Sequence, residues 1–369
     1  MINRKLLDLY TDYLISSFSL ATATGLSELT DKVYSHDTIT RFLSSKEFTQ
    51  KTFWKQIVKP ALREIENEEG VIIIDDTIEE KPHTKENEII CYHYDHSKSR
   101  SVKGINIINF LYHSEVNSSL SIPLAFKAIS KTEEYIDKKS GKLKRKSSVT
   151  KNEIVRERLK ILTFTNHINY KYILWDSWFS SKENLNLVHS KLKKHFVCAV
   201  KSNRTVALSK KDKLNGNFIQ VSALNLEPET TCLVYIKGNE FPIILAKQVF
   251  TNKDRSTGTL YLISNDTELN YQQLTTIYQK RWKVEVFHKS LKQNALLEKS
   301  PTKTPRTQKN HIFASMVAFI KLESMKLKNN LNHFALKRKL YIKAIKSCFS
   351  ELQKLKTDNK NFQFKSVLA

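Results

Sequence analysis

The chain has 369 residues, 40% hydrophobic and 10% aromatic, which supports a packed interior in two or three compact units and argues against wholesale disorder. Sixty-one Lys and Arg against 37 Asp and Glu give a formal charge of +24; such a surplus attracts polyanions, nucleic acid first among them, although a Lys- and Asn-rich coding bias also inflates the count. Cys91, Cys198, Cys232 and Cys348 form no Cys-x-x-Cys pair, no apolar run reaches eighteen residues, and Asp8 and Asp12 interrupt the first apolar stretch, which argues against a zinc ribbon, a disulfide scaffold, a membrane span and a secretory signal.

A soluble protein of a reducing compartment is therefore expected. Residues 1–68 read as helices: Leu6, Leu7, Tyr10 and Leu14 have helical spacing, as do Phe53, Ile57, Val58 and Leu62, with a short capped helix from Asp37 between them. Basic residues throughout this region suit a small DNA-binding domain or a plain helical support. At Val71 the period changes. Val71-Ile72-Ile73-Ile74 is a continuous apolar run of the central-strand kind, ending in Asp75-Asp76-Thr77. Ile89 to Tyr94 and Ile105 to Tyr112 are the next strand candidates. Thr150 with Glu153 is a capping box that opens a helix. Tyr172 to Trp175 is a strand ending at Asp176, Ser180 with Glu183 is a second capping box, and Phe196 to Val200 is a fifth strand.

Three strands, helix, strand, helix, strand predict an α/β layer fold over 69–201. Residues 202–270 read as a mostly β insertion, with Asn215-Gly216 and Gly238-Asn239 as hairpin signals. A long helix is predicted from Tyr271 to Leu297, within a segment 271–300. The C-terminal region 301–369 reads as basic helices; residues 302–369 hold fifteen Lys and Arg against Glu323, Glu351 and Asp358.

Three acids carry the candidate chemistry. Asp75 and Asp176 each follow an apolar strand, and in open α/β sheets ligand chemistry collects at the carboxyl ends of strands. Either alone reads as well as a loop-opening or helix-capping Asp. The third is Glu285, on the long helix. At 100° per residue, Tyr278, Arg281, Glu285 and Lys292 fall within an arc of about 60°, beside an apolar stripe of Ile277, Val284 and Leu291. One face thus packs on the sheet while its flank presents a carboxylate between cations. A solvated face with an Arg281–Glu285 pair gives the same pattern. Phosphodiester transfer needs an activated oxygen nucleophile and a stabilised leaving oxygen, which two Mg²⁺ ions about 3.5–4 Å apart supply. A few carboxylates suffice to hold them.

Tyr278, Arg281, Glu285 and Lys292 match, in identity and spacing, the Tyr-(2)-Arg-(3)-Glu-(6)-Lys signature of bacterial insertion-sequence transposases of the DDE class, in the group usually numbered four. Asp75-Asp76-Thr77 resembles that group's first-aspartate motif, and Leu174-Trp175-Asp176-Ser177-Trp178-Phe179 its second. The resemblance spans roughly residues 71–297. It implies a ribonuclease-H-like core in which Asp75, Asp176 and Glu285 are catalytic and bind Mg²⁺, with Mn²⁺ able to substitute. It implies that Tyr278, Arg281 and Lys292 contact DNA phosphate, as forked and point-charge donors would. Its partners would be double-stranded DNA, at transposon ends and target, with a dimer when two ends are synapsed. Its setting would be the bacterial cytoplasm at the nucleoid.

Strand alternation lets only one of Asp75 and Asp76 face the site; the family's Asp-x-Thr spacing favours Asp75. Asp95-His96 with Lys98, Arg100 and Lys103 reads as an exposed hairpin edge or as a segment near DNA. Trp178 and Trp282 read as core residues or as stacking partners for an unpaired base. No zinc-hydrolase His pair and no Gly-x-x-x-x-Gly-Lys loop is present. A nuclease of the same fold that cuts without joining, and an inactive DNA-binding derivative of a transposase, remain alternatives.

Overall fold

The computed structural model describes residues 2–96, 98–115, 118–138, 140–251 and 254–358; positions 359–369 of the basic C-terminal region lie outside the described residues. The chain divides into two compact units. One is drawn from Met1–Phe42, Ser290–Pro301 and Ala314–Ala369, the other from Leu43–Lys289 and Thr302–Phe313.

The N-terminal helices are α1 (Arg4–Ser16), α2 (Ala23–Leu29) and α3 (His36–Ser44), then α4 (Gln50–Phe53) and α5 (Lys59–Leu62), joined by a π-helical stretch at Trp54–Val58. Leu6, Leu7, Tyr10 and Leu14 are buried along one side of α1, as their spacing requires. Asn3 caps α1, its side-chain oxygen accepting from the Leu6 N–H. Ser35, rather than Asp37, accepts from Thr38 N–H at the start of α3.

The second unit is built on one mixed sheet. Its first strands are β1 (Val71–Glu80), β2 (Cys91–Asp95), β3 (Arg100–Ser114) and β4 (Leu120–Ala128), followed by a separate hairpin of β5 (Glu133–Ile136) and β6 (Leu143–Lys146). Then come α6 (Lys151–Lys160), β7 (Tyr172–Trp175), α7 (Lys182–Asn186) and β8 (His195–Val200). β4, β3 and β1 are successively antiparallel, whereas β1, β7 and β8 are parallel. Ile72, Ile73, Ile173, Leu174, Phe196 and Val197 are fully buried in the parallel part, which explains their unbroken apolar runs.

Two departures from the sequence reading matter here. β4 is not among the expected strands, and it contains Pro123. It lies at the margin, pairing with β3 alone, and its register shifts between Phe110 and Leu111, opposite Pro123. Edges and bulges are where strands accept proline. The expected end of the first strand at Asp75 is also displaced. β1 continues to Glu80 because β3 pairs with it throughout, from Val71↔His113 to Glu80↔Gly104, whereas β7 pairs only with Val71–Ile73. Asp75 therefore sits where its parallel neighbour stops.

The insertion holds β9 (Thr205–Ala207), α8 (Lys210–Leu214), β10 (Ile219–Gln220), β11 (Thr231–Ile236), β12 (Ile243–Thr251) and β13 (Thr257–Ser264). β13 pairs directly with β8, so these strands extend the core sheet. Gly238, at φ +84°, lies in the β11–β12 connection as expected of a hairpin. Asn215-Gly216 is instead the C-terminal stop of α8, with Gly216 at φ +76°. The predicted long helix is α9 (Tyr271–Gln279) and α10 (Lys283–Asn294), separated by a 3₁₀ turn at Lys280–Trp282. The chain closes with α11 (Pro305–Asn329) and α12 (His333–Asp358).

Candidate active site

Asp75 reaches its position on a strand fixed on one side by β3 and open on the other beyond Ile73. Asp176 directly follows β7 and turns the chain: its Oδ1 accepts from Trp178 N–H at 3.0 Å. The helix following this turn begins one residue later than expected. Ser181, not Ser180, caps it through Asn184 N–H, while Ser180 Oγ donates to the Ser177 carbonyl. At Thr150 both bonds of the expected capping box are present.

Arg281 joins two of the acids. Its Nη1 lies 3.6 Å from Asp75 Oδ2 and 3.6 Å from Glu285 Oε1. These are ion pairs too long for good hydrogen bonds. The guanidinium carbon also lies 5.8 Å from the Tyr278 ring centroid, within cation–π range. Lys292 belongs to the other compact unit, where its Nζ pairs with Glu298 at 2.9 Å. Asp76 is held differently from Asp75: Lys151 Nζ and Asn106 Nδ2 both donate to its Oδ2 at 2.8 Å. The residue beside Arg281 and Glu285 is Asp75.

The acids are short of compensating charge. Burial, then the nearby Asp176, push the Asp75 carboxyl up to about 7, against the pull of Arg281 and a bond from Asp76 N–H. Asp176 is also raised, by burial first and by Asp76, although Trp178 N–H and Arg281 oppose this. Two partly buried carboxylates that resist joint ionisation are the electrostatic setting that a divalent cation relieves. Burial also raises Tyr278, to about 12, so it is a neutral hydroxyl donor.

One further group belongs here that the sequence reading passed over. Ligand atoms of Asp75, Glu285 and His288 all lie within 4.8 Å of one another, and Asp176 is not part of this cluster. His288 is buried, and its Nε2 lies 3.0 Å from Asn109 Nδ2. Asn109 is the β3 partner of Asp75, and its Oδ1 is buried without a hydrogen-bond partner among the described residues. The signal was available: His288 lies three residues after Glu285, on the same helix face. The oxygen-rich donor set suits Mg²⁺ or Mn²⁺, and a nitrogen donor suits Mn²⁺ better than Mg²⁺.

Strand order β4–β3–β1–β7–β8, with the first three antiparallel and the last three parallel, defines a ribonuclease-H-like core. Among known proteins, the model of the DDE superfamily endonuclease matches residues 2–214, and that of the transposase DDE domain matches residues 143–320. The chain belongs to the DDE superfamily of endonucleases and transposases, enzymes that use divalent metal ions. No curated protein matches it. A solved structure, the Drosophila P element transposase strand transfer complex, aligns at 10% identity over 98% of this chain and 87% of that one, with a TM-score of 0.28.

Proposed function

We propose that this enzyme is a cut-and-paste transposase of the insertion-sequence group numbered four. The carrying observation is the junction of Asp75, Glu285 and Arg281 beside Asp176, where β7 stops alongside the longer β1. Asp75, Asp176 and Glu285 would hold divalent cations, Mg²⁺ or in its place Mn²⁺, which supply a deprotonated oxygen nucleophile and neutralise charge at the leaving oxygen.

Water attacks the phosphorus at the element end and the P–O3′ bond breaks; the released 3′-hydroxyl then attacks a target phosphodiester, whose own P–O3′ bond breaks and whose 3′-oxygen leaves with a proton. Arg281 offers its forked donors to the phosphate, and Tyr278 its neutral hydroxyl. Lys292 exchanges Glu298 for a phosphate oxygen. Such contacts position DNA without reading its sequence. Double-stranded element ends and target are the partners, a dimer forms on paired ends, and the setting is the bacterial nucleoid.

Replacing Asp176 or Glu285 by Ala is expected to abolish cleavage of element-end DNA, while gel-shift affinity for the same DNA stays within about threefold. Undiminished cleavage by either variant sinks the assignment. A strand-transfer assay on paired ends separates transposition from cutting alone, because a simple nuclease leaves no joined product.

A further inference from the structure

The hairpin of β2 and β3 leaves its aromatic side chains in solvent. Along β2 the side chains alternate: Cys91 and His93 are buried, whereas Tyr92 and Tyr94 are each 54% exposed. The register sets Tyr92 opposite Lys103 and Tyr94 opposite Ser101, so these four share one face. Beyond the strand end, the Tyr94 and exposed His96 rings meet at 4.9 Å and 76°. His96 in turn meets Trp178 at 5.5 Å and 54°. Trp178 is 46% exposed, and its backbone N–H is the group bonded to Asp176. A connected line of exposed rings therefore runs from the hairpin to an acid of the site.

Cations accompany the line. Lys151 Nζ lies 5.8 Å from the Trp178 ring centroid. Arg100 and Lys103 stand on β3, and Lys98 in the turn pairs with Glu80. Aromatic faces interleaved with cations fit a polyanion that carries rings of its own. The geometry also selects its state. A duplex shows proteins only base edges and backbone, whereas an unpaired strand shows base faces. The edge-on pair at 4.9 Å and the tilted pair at 5.5 Å already touch and leave no slot for a base between the rings; bases would lie on the outer faces.

We propose that Tyr92, Tyr94, His96 and Trp178 form a stacking surface for unpaired DNA bases, which leads a single strand to the acids. This rests on the transposase reading for its biological use, but not for its test.

The full-length chain is titrated, without divalent cation, with fluorescein-labelled oligo(dT) and with a blunt duplex, and anisotropy is read. Tyr94→Ala and Trp178→Ala are each expected to weaken oligo(dT) binding about tenfold, the order of one lost base–ring stack. Tyr94→Phe and Trp178→Phe retain most of it, and duplex affinity stays unchanged in all four variants. Equal losses on oligo(dT) and duplex overturn the proposal in favour of a general DNA surface. Retention of oligo(dT) affinity by both Ala variants overturns it outright. Because no cleavage occurs in this assay, a failure of the catalytic assignment shows separately, in the Glu285→Ala experiment.

Discussion

Asp75 and Asp76 show how one strand step separates two roles. Asp75 faces Arg281 and the Glu285–His288 cluster, whereas Asp76 is tied to Lys151 and Asn106. The sequence supplied both acids with nothing but motif spacing to choose between them. His288 gives a way to test the cluster without touching an acid. His288→Ala removes the one nitrogen donor of the cluster, and losing a ligand costs at least the roughly 10–100-fold in metal affinity that losing a ligand's orienting partner does. Mn²⁺ affinity, read by calorimetry or electron paramagnetic resonance, is expected to fall about tenfold or more; an unchanged value detaches His288 from metal binding. His93 makes a separate prediction about stability. Burial first, and the charges of Lys131 and Lys151 next, lower its pKa to about 3, against about 6.5 in an unfolded chain. Since the unfolded chain binds the proton first, the stability of the neutral buried ring is complete above about pH 6.5 and is lost as pH falls toward 3, by at most about 1.4 kcal/mol per pH unit. In urea titrations across that window, His93→Gln is expected to flatten the acid-side loss.

At the scale of elements, the site depends on a difference in length between neighbours. β1 runs on past Asp75 under the full pairing of β3, while β7 stops, so a mid-strand aspartate gains an open flank. That pairing has a tight point at Gly104, where an added Cβ would meet the Glu79 carbonyl oxygen at 2.2 Å. Gly104→Ala is therefore expected to destabilise the protein by on the order of 1–3 kcal/mol, as backbone overpacking does, read as a lowered midpoint of thermal unfolding. A neutral result would mean that β1 and β3 separate there at little cost. The long helix was legible as a pattern, but its 3₁₀ turn at Lys280–Trp282 was not. The 100° wheel assumed an unbroken α-helix, yet Arg281 still reaches Glu285 across the junction. The exposure of Trp178 and Trp282, at 46% and 64%, was equally hidden, because large aromatics are ordinarily buried.

For the whole molecule, the +24 charge makes DNA affinity strongly salt-dependent. If six or more phosphates are neutralised, affinity falls by about a thousandfold or more between 50 and 200 mM salt; anisotropy with a duplex probe measures the slope, and a flat profile would deny the surface an electrostatic footprint. The two compact units also divide the signature stripe: residues 283–289 of α10, with Glu285, lie in one, and residues 290–294, with Lys292, in the other.

By itself the sequence determined the α/β class, the strands before Asp75 and Asp176, the Thr150 cap, the β insertion and the stripe with Glu285. Each of these rests on local periodicity or on spacing within a few turns of chain. Only the tertiary structure decided that Asp75 rather than Asp76 meets Arg281, that β4 pairs with β3, and that four aromatic side chains line up outside the core. Those outcomes depend on which distant strands pair and where each pairing stops, and no local pattern of residues encodes that.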